Sequence, residues 1–348
     1  MAVPGSVRRT ALVVGLTITL VLGVVLSAMA GQLAVAPSEV IGSLLRAIGI
    51  QNEWAPDDPV TEAALLVVRF PRILMALAVG AALAVAGAVM QAIFGNPLAE
   101  PGVVGVSSGA ALGAAIGIVF GLTALGGWSV AALAFLGGLV ATLLVYFMSR
   151  ANGRTEVVTL LLTGIAVNAF GGAGLALLLF LGDSASREQI IFWQLGSLNG
   201  SRWQEAIIVF VVAAIGSVVA VSIARRLDLL SLGERNARHL GLNVERLRIW
   251  SIVLVALLTG AAVAFCGIIA FVGLVVPHII RMIIGPSHRG VIIGSAFGGG
   301  ALMLFADLAA RTLIPGADLP IGMLTSLIGG PFFFWLLFRA RQRSGGWA

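Results

Sequence analysis

The sequence contains very few charged residues and no lysine. Only 10% of its 348 residues are charged, whereas a soluble domain averages about 25%. All 21 basic residues are arginines, and a chain without lysine cannot build the standard Walker A loop that holds a nucleotide's phosphates. The scarcity of charge excludes a water-soluble enzyme, a disordered tail and a nucleic-acid-binding domain, although the sequence pI is about 11.2.

Cysteine, histidine and membrane-embedded ionisable groups are equally scarce. The single cysteine, Cys266, lies in an apolar run, which excludes an intrachain disulfide and a cysteine-based metal site. The three histidines are His239, His278 and His288. Ionisable groups inside a bilayer mark proton and ion paths, and the apolar runs offer only Asp307, His278 and Arg281 near their ends. Energy for any transport is therefore expected to come from outside this chain.

What is abundant is apolar sequence, at 59% of residues, with a mean hydropathy of +1.07. Because about 20 apolar residues cross a bilayer, we expect an all-α membrane protein with ten spans in one domain, 1–348. The second span is expected to begin at Pro71, where a missing N–H costs nothing. The first apolar run resembles a signal peptide, but its length and the lack of a clear A-x-A-like site favour a retained span. The expected spans are 11–30, 72–92, 103–121, 128–148, 158–181, 206–223, 250–268, 270–284, 290–310 and 320–338.

The distribution of arginine predicts the orientation. If both termini are cytoplasmic, all but six arginines fall on the inside, as the positive-inside rule requires. The six outside are Arg46, Arg69, Arg72, Arg187, Arg202 and Arg311. The basic pI is therefore interpreted as a signal of membrane topology.

Small residues recur every four positions in two spans and predict close helix packing. They are Gly109, Gly113 and Gly117 in the third span, and Gly80, Ala84 and Ala88 in the second.

The longest polar segment on the inside, about 225–248, has the signals of a short helical platform. Ser231 and Glu234 have the spacing of a capping box, so a helix is expected to begin at Ser231. Gly241 is placed to end it, and Asn243 to cap a second short helix. Two interpretations stay open: a basic helix lying on anionic lipid, or a lever on which a cytosolic partner docks.

Two further motifs lie at the ends of the second span. Arg69 and Arg72, three residues apart at its outer end, can share one helix face; with Arg311 they form either a local ion-pair site or a positive patch for an acidic partner. At the inner end, 96–102 contains two prolines and a glycine, which forbid a regular helix. This segment is either a plain turn or irregular backbone beside a cavity.

These motifs resemble, in order along the chain, the FecCD-type permeases, the membrane subunits of type II ABC importers for ferric siderophores, haem and cobalamin. The resemblance covers RFPRILMALAVGAALAVAGAVMQAIFGNPLAEPGVVGVSSGA at 69–110, LGERNARHLGL at 232–242, GIIAFVGLVVPHIIR at 267–281, ADLAAR at 306–311 and LPIGMLTSLIGGPFFFWLL at 319–337.

The resemblance implies partners and site residues. It implies a homodimer or a heterodimer with a paralogue, two cytosolic ATPase subunits that carry the ATP and Mg, and an extracytoplasmic substrate-binding protein. The docking residues for the binding protein would be Arg69, Arg72 and Arg311. The coupling to the ATPase would use Ser231, Glu234, Arg235, Arg238 and Gly241. A cytoplasmic gate would use Asn96, Pro97 and Leu98. A second gate would be formed by the loop at 154–158.

The expected function is therefore that of a transporter subunit with no ATPase site of its own, in the bacterial plasma membrane. A ferric siderophore is the leading cargo, with haem or cobalamin as alternatives. A different class, an ATP-independent secondary carrier, also stays open.

Overall fold

A computed structural model describes residues 5–31, 33–126, 128–151 and 154–343, which are mostly helical. The helices are α1 (Gly5–Met29), α2 (Pro37–Ala47), α3 (Pro59–Ala63), α4 (Phe70–Phe94), α5 (Val106–Val119), α6 (Ser129–Met148), α7 (Val157–Leu181), α8 (Ser184–Leu195), α9 (Trp203–Leu230), α10 (Glu234–His239), α11 (Val244–Cys266), α12 (Val272–Ile284), α13 (His288–Thr312) and α14 (Ile321–Arg343). Two short strands, β1 (Arg150–Ala151) and β2 (Arg154–Thr155), pair antiparallel.

Ten apolar helices correspond, in order, to the ten expected spans. Seven of them are long and apolar enough to cross a membrane, and three are shorter. The short ones are Val106–Val119, Val272–Ile284 and Ile321–Leu336. The prediction of an all-α, multi-pass membrane fold is thus confirmed.

Several predicted span boundaries were wrong: the sixth span runs to Leu230, the seventh begins at Val244, and the second and third also begin elsewhere. The second span does not begin at Pro71, because α3, a π-helical stretch at Ala64–Arg69 and α4 form one 36-residue helix, Pro59–Phe94. Phe70 donates its N–H to Leu65 O, five residues back, and this wider turn is how the helix continues into a proline. The third span begins only at Val106, since Pro101–Val104 forms a 3₁₀ turn.

The spans alternate in direction, so their connections fall on two faces. We call the side on which α1 begins the near face; it carries 95–105, 149–151, 154–156, 231–243 and 285–287. The far face carries 33–58, 120–126, 182–202, 267–271 and 313–320. Hydrogen bonds join connections within each face: His288 N donates to Asp228 Oδ1 at 2.9 Å on the near face, and Ser197 N to Cys266 O at 2.8 Å on the far face.

The far-face connections contain two helices that were not predicted, α2 and α8. The Asp183 carboxylate caps α8 by accepting the Ser186 N–H at 2.7 Å. Hydrogen bonds from Ser186 hold the pKa of Asp183 below its ordinary value. The cap explains why a helix begins in a segment whose composition gave no such indication.

The helix α4 forms the centre of the bundle and packs against α13, α9, α11 and α12. Glycines allow this close approach: a Cβ on Gly80 would lie 2.1 Å from Gly299 O, and one on Gly87 would lie 1.8 Å from Gly273 O. In α5, a Cβ on Gly113 would lie 2.1 Å from Leu133 O of α6. The predicted small-residue packing is confirmed at Gly80 and Gly113, and the contact at Gly87 was not predicted.

This packing predicts that Gly80→Ala destabilises the bundle. The added methyl has backbone as its neighbour, so α4 and α13 must separate, at a cost of about 1–3 kcal/mol. The measurement is the thermal unfolding midpoint in detergent. Gly172→Ala is the matched control, because a Cβ there meets nothing within 4 Å; equal midpoints for the two variants would contradict the assigned packing.

Candidate functional site

The near-face connection between α9 and α11 contains one short helix, α10. It begins at Glu234 after Gly233, which has a φ of 96°. The predicted start at Ser231 was wrong, because the Ser231 hydroxyl donates to Asp228 O at 2.6 Å and thereby closes the end of α9. Ser231 is the C-cap of α9 and has helical backbone angles, whereas an N-cap residue has extended ones, so it cannot cap the next helix.

Gly241 ends α10, as predicted. Its φ is 83°, and its N–H donates to Arg238 O at 3.0 Å. Asn243 is also a cap, since its side chain accepts the Arg246 N–H at 2.9 Å, but the helix it begins is the transmembrane α11. The predicted pair of short helices is therefore wrong: α10 leads through one tight turn directly into a span.

The side chain of Glu234 ties α10 to α11. Its carboxylate forms ion pairs with Arg238, at 3.3 Å, and with Arg248. Arg248 is only 2% exposed, and breaking a buried pair by removing one partner is strongly destabilising. Glu234 also lies in the first turn of α10, where a carboxylate is favoured by the helix dipole.

The same arginine reaches the loop before α7. Arg248 Nη1 donates to Thr155 O at 2.7 Å. The Glu245 carboxylate accepts hydrogen bonds from the Thr155 N–H, at 3.1 Å, and from the Thr155 hydroxyl. Tyr146 OH lies 3.3 Å from the same carboxylate. The short helix α10 and the loop before α7 are thus held to one point on α11.

This near-face tie consists of Glu234, Arg248, Thr155 and Glu245. Of these, Glu234 was predicted for coupling, and Thr155 falls in the loop at 154–158 that was predicted as a second gate. Arg248 and Glu245 were missed because they look like ordinary charges of a basic segment, and because their partner Thr155 lies about ninety residues away. Arg248 also lies before the expected span 250–268, so the rule that an arginine within a span needs an internal partner did not single it out. Arg235, by contrast, is exposed on α10 and is free to meet a partner subunit.

The far face holds a cluster of buried charges around Arg72. Its Nε donates to Asp307 Oδ1 and its Nη1 to Asp318 Oδ2, each at 2.8 Å. Asp307 is fully buried and also lies 3.4 Å from Arg311 Nε. Arg72 thereby joins α4 to α13 and to the connection before α14.

Arg69 and Arg311 use most of their donors on backbone carbonyls. Arg69 donates to the carbonyl oxygens of Ala28, at 2.5 Å, of Met29, at 3.2 Å, and of Leu33. Arg311 donates to Ala30 O at 2.6 Å and to Ser27 O at 2.5 Å. Both arginines therefore satisfy the carbonyls that the end of α1 leaves without helical partners.

The three predicted arginines lie together and border one cavity of about 310 Å³ at the far face, with Asp318 on its wall. The predicted sharing of one face by Arg69 and Arg72 is thus confirmed. Local ion pairs, one of the two interpretations left open by the sequence, are present. Three arginines against two aspartates leave the cluster with one net positive charge.

The turn between α4 and α5 lies at the opposite end of α4 from this cluster. Asn96 Oδ1 accepts the Leu98 N–H at 2.9 Å, which is the bond expected of an asparagine that holds a turn. Asn96 and Pro97 are exposed, while Leu98 is half-buried.

Beyond this turn the chain re-enters the bundle without forming an α-helix. Asn168 of α7 donates to Gly102 O at 3.2 Å and accepts from the Ser108 hydroxyl at 2.6 Å. Such side-chain bonds satisfy irregular backbone at membrane depth. Glu100 and Asn168 line a partly open cavity of about 290 Å³.

A second non-helical segment, 267–271 between α11 and α12, borders the same cavity from the far face. Phe271 has a φ of 68°, a conformation that a bulky residue adopts only under constraint, and its ring packs against Gly329 of α14. Neither Glu100 nor Phe271 was singled out from the sequence. The interior of the bundle therefore contains two interrupted segments that face one cavity.

Comparisons with known proteins agree with this architecture. The profile of the FecCD transport family matches residues 19–339. The Hemin transport system permease protein HmuU of Yersinia pestis is 44% identical over 282 residues, which are 80% of this chain and 84% of that protein. The Cobalamin import system permease protein BtuC of Halobacterium salinarum is 42% identical over 272 residues, which are 78% and 72% of the two chains.

A solved structure also has the same fold. It is described as an inward-facing conformation of a metal-chelate type ABC transporter, and it matches with a TM-score of 0.82 at 34% identity over 93% of this chain and 98% of that one. The chain therefore belongs to the FecCD transport family and has the fold of a type II ABC importer permease.

Proposed function

We propose that this chain is the membrane subunit of an importer that moves a bulky metal chelate into the cytoplasm, with the near face and both termini on the cytoplasmic side of a bacterial plasma membrane. ATP is hydrolysed on two partner ATPase subunits, and a second permease chain, identical or paralogous, completes the pathway. This orientation is supported by the excess of arginine on the near-face segments.

The observation that carries this proposal is the near-face tie. An exposed helix, α10, is joined through buried Arg248 to the loop before α7. A partner that displaces α10 would therefore also displace the loop before α7, at the near face of the bundle. A secondary carrier has no need of such a helix, and its coupling would require ionisable groups across the membrane.

The cargo that the relatives favour is a tetrapyrrole chelate. Relatives named for haem and for cobalamin are 44% and 42% identical, and both molecules are tetrapyrrole-type metal complexes. The ferric siderophore expected from the resemblance belongs to the same importer class but has no comparable support. An apolar bundle suits any of these cargoes, because weak contacts let a large ligand pass.

Reconstitution tests both the class and the cargo. Liposomes that contain the permease, its ATPase and its binding protein should accumulate haem or cobalamin only when ATP is present on the side of the membrane where the ATPase is bound. An ATPase variant without hydrolysis is the matched control. Uptake that persists with this variant would indicate a secondary carrier, and uptake of a ferric siderophore alone would reassign the cargo.

Docking of an acidic binding protein on Arg69, Arg72 and Arg311 remains a proposal. Its support is the net positive charge of the cluster and the cavity that all three arginines border. Because their guanidiniums already have internal partners, a docking carboxylate would compete with Asp318, whose side chain is 31% exposed.

This competition predicts that Asp318→Asn strengthens docking. Removing one acidic partner adds a net positive charge, so association with the binding protein should be several-fold faster at low salt. The gain should vanish at about 1 M salt, where charges are screened within about 3 Å. Surface plasmon resonance at both salt concentrations measures the effect, and Asp57→Asn is the same-face control. Weaker binding of Asp318→Asn would place Asp318, not the arginines, at the interface.

The turn after α10 gives a second prediction. A Cβ on Gly241 meets nothing within 4 Å, so only its φ of 83° opposes a side chain. Gly241→Val should therefore abolish ATP-driven transport with the permease still inserted, while Gly241→Asn should retain it, since asparagine tolerates this conformation. The measurement is transport together with recovery of the ATPase by pull-down. Full activity of Gly241→Val would remove α10 from the coupling path.

The third prediction concerns the proposed gate at Asn96, Pro97 and Leu98. In a symmetric dimer each subunit contributes this turn at the dimer axis. The two Leu98 side chains would then form an apolar constriction that excludes water without any charge. Leu98→Cys in a Cys266→Ala background should crosslink between subunits, and the yield should change with ATP. Leu232→Cys, exposed on the same face, is the control. A failure of Leu98→Cys to crosslink in every nucleotide state would leave the segment as an ordinary turn.

A further inference from the structure

An apolar groove lies between α9 and α11 on the outer surface of the bundle. It has a volume of about 730 Å³, the largest among the cavities described here, and its floor includes Gly216 and Leu258. Several wall residues are exposed: Ile215 by 60%, Val219 by 41% and Leu257 by 39%. An exposed apolar groove in a membrane-spanning region faces acyl chains.

The near-face end of this groove is basic. Arg226 of α9 and Arg246 of α11 line it, and no acidic residue does. Both arginines are exposed, and the described residues give neither guanidinium an ion-pair partner. The neighbouring acids are used elsewhere, Asp228 by His288 and Glu245 by Thr155. The groove therefore ends in two cations that are free to bind an anion.

The dimensions match one membrane leaflet. Val212 and Arg226 mark the two ends of the groove on α9, and at 1.5 Å per residue they lie about 21 Å apart. A leaflet contributes about half of a hydrocarbon core of about 30 Å, and the headgroup lies beyond it. Trp250, 63% exposed, lines the groove one helical turn beyond Arg246, as aromatic residues do at the boundary between tails and headgroups.

We propose that this groove binds one anionic phospholipid, with an acyl chain along α9 and α11 and the phosphate between Arg226 and Arg246. Basic pockets between transmembrane helices on the cytoplasmic side bind anionic headgroups by this combination of charge and apolar contact. A zwitterionic lipid would fill the groove as well but would gain less from two unpaired cations.

The site adjoins the segment that joins α10 to α11. Gly241, Leu242 and Asn243 line the same groove, so a bound headgroup contacts the turn on which α10 depends. Occupancy should therefore hold α10 in place from the membrane side, while the Arg248 tie holds it from the bundle side.

Native mass spectrometry of the purified full-length chain, titrated with phosphatidylglycerol or phosphatidylcholine, tests this site. The chain should retain phosphatidylglycerol preferentially, and Arg226→Gln with Arg246→Gln should lower that affinity about thirtyfold. The matched control is Arg225→Gln with Arg289→Gln, which removes the same charge from two exposed near-face positions outside the groove.

A second pair of variants tests the apolar part without changing charge. Val219→Trp fills the groove and should reduce retained lipid, whereas Val218→Trp, at a neighbouring position that is 71% exposed and outside the groove, should not. Equal lipid retention by both arginine double variants would overturn the proposal. So would a Val219→Trp chain that keeps its lipid but loses its dimer, because the groove would then belong to a second copy of the chain.

Discussion

The scarcity of water in the bundle is the constraint on which the rest of this structure depends. Each buried polar group must find its partner within the chain, because an unsatisfied group in an apolar medium costs several kcal/mol. Arg69, Arg72 and Arg248 are each less than 10% exposed, and each binds carboxylates or backbone carbonyls from a distant part of the sequence. These few bonds fix where the connections lie relative to the spans.

The same constraint separates rigid from movable parts. The glycine contacts of α4 with α13 and α12 leave no room for sliding without loss of packing. At the two faces, in contrast, the connections are held by a small number of polar bonds that a partner could rearrange. A displacement of α10 would be transmitted through Arg248 to the loop before α7. A partner at the far face would instead contact the Arg72 cluster. The permease thus has a network of polar bonds at each face, and the proposed function places the action of a partner at these networks.

The sequence was sufficient for the features that depend on composition and local geometry. The ten apolar helices of the described residues, the glycine contact at Gly80, the asparagine turn at Asn96 and the helix end at Gly241 all follow from hydropathy or from backbone preferences of single residues. The proximity of Arg69, Arg72 and Arg311 was anticipated through motifs that resemble a family, since a contact between residues 72 and 307 has no local signal.

What the sequence did not indicate depends on competition between local bonds and on long-range contacts. Ser231 has capping-box spacing, yet it is the C-cap of α9, where its N–H donates to Leu227 O, so the next helix begins at Glu234. Pro71 looks like a helix start, yet a π-helical turn carries the helix through it. Arg248 and Thr155 become a pair only when α11 stands beside the β1–β2 hairpin. In the first two cases one local preference overrode another, and in the third the partner lies about ninety residues away in the sequence.

The central claim is that α10 and the loop before α7 move as one unit. Spin labels at Arg235→Cys and Glu156→Cys, in a Cys266→Ala chain assembled with its ATPase and with one labelled protomer per dimer, report the distance between them. A second pair, Arg235→Cys and Glu188→Cys, reports the distance from α10 to α8 at the far face. With ATP the first distance should stay constant while the second changes. A change of the first distance as large as that of the second would contradict the account.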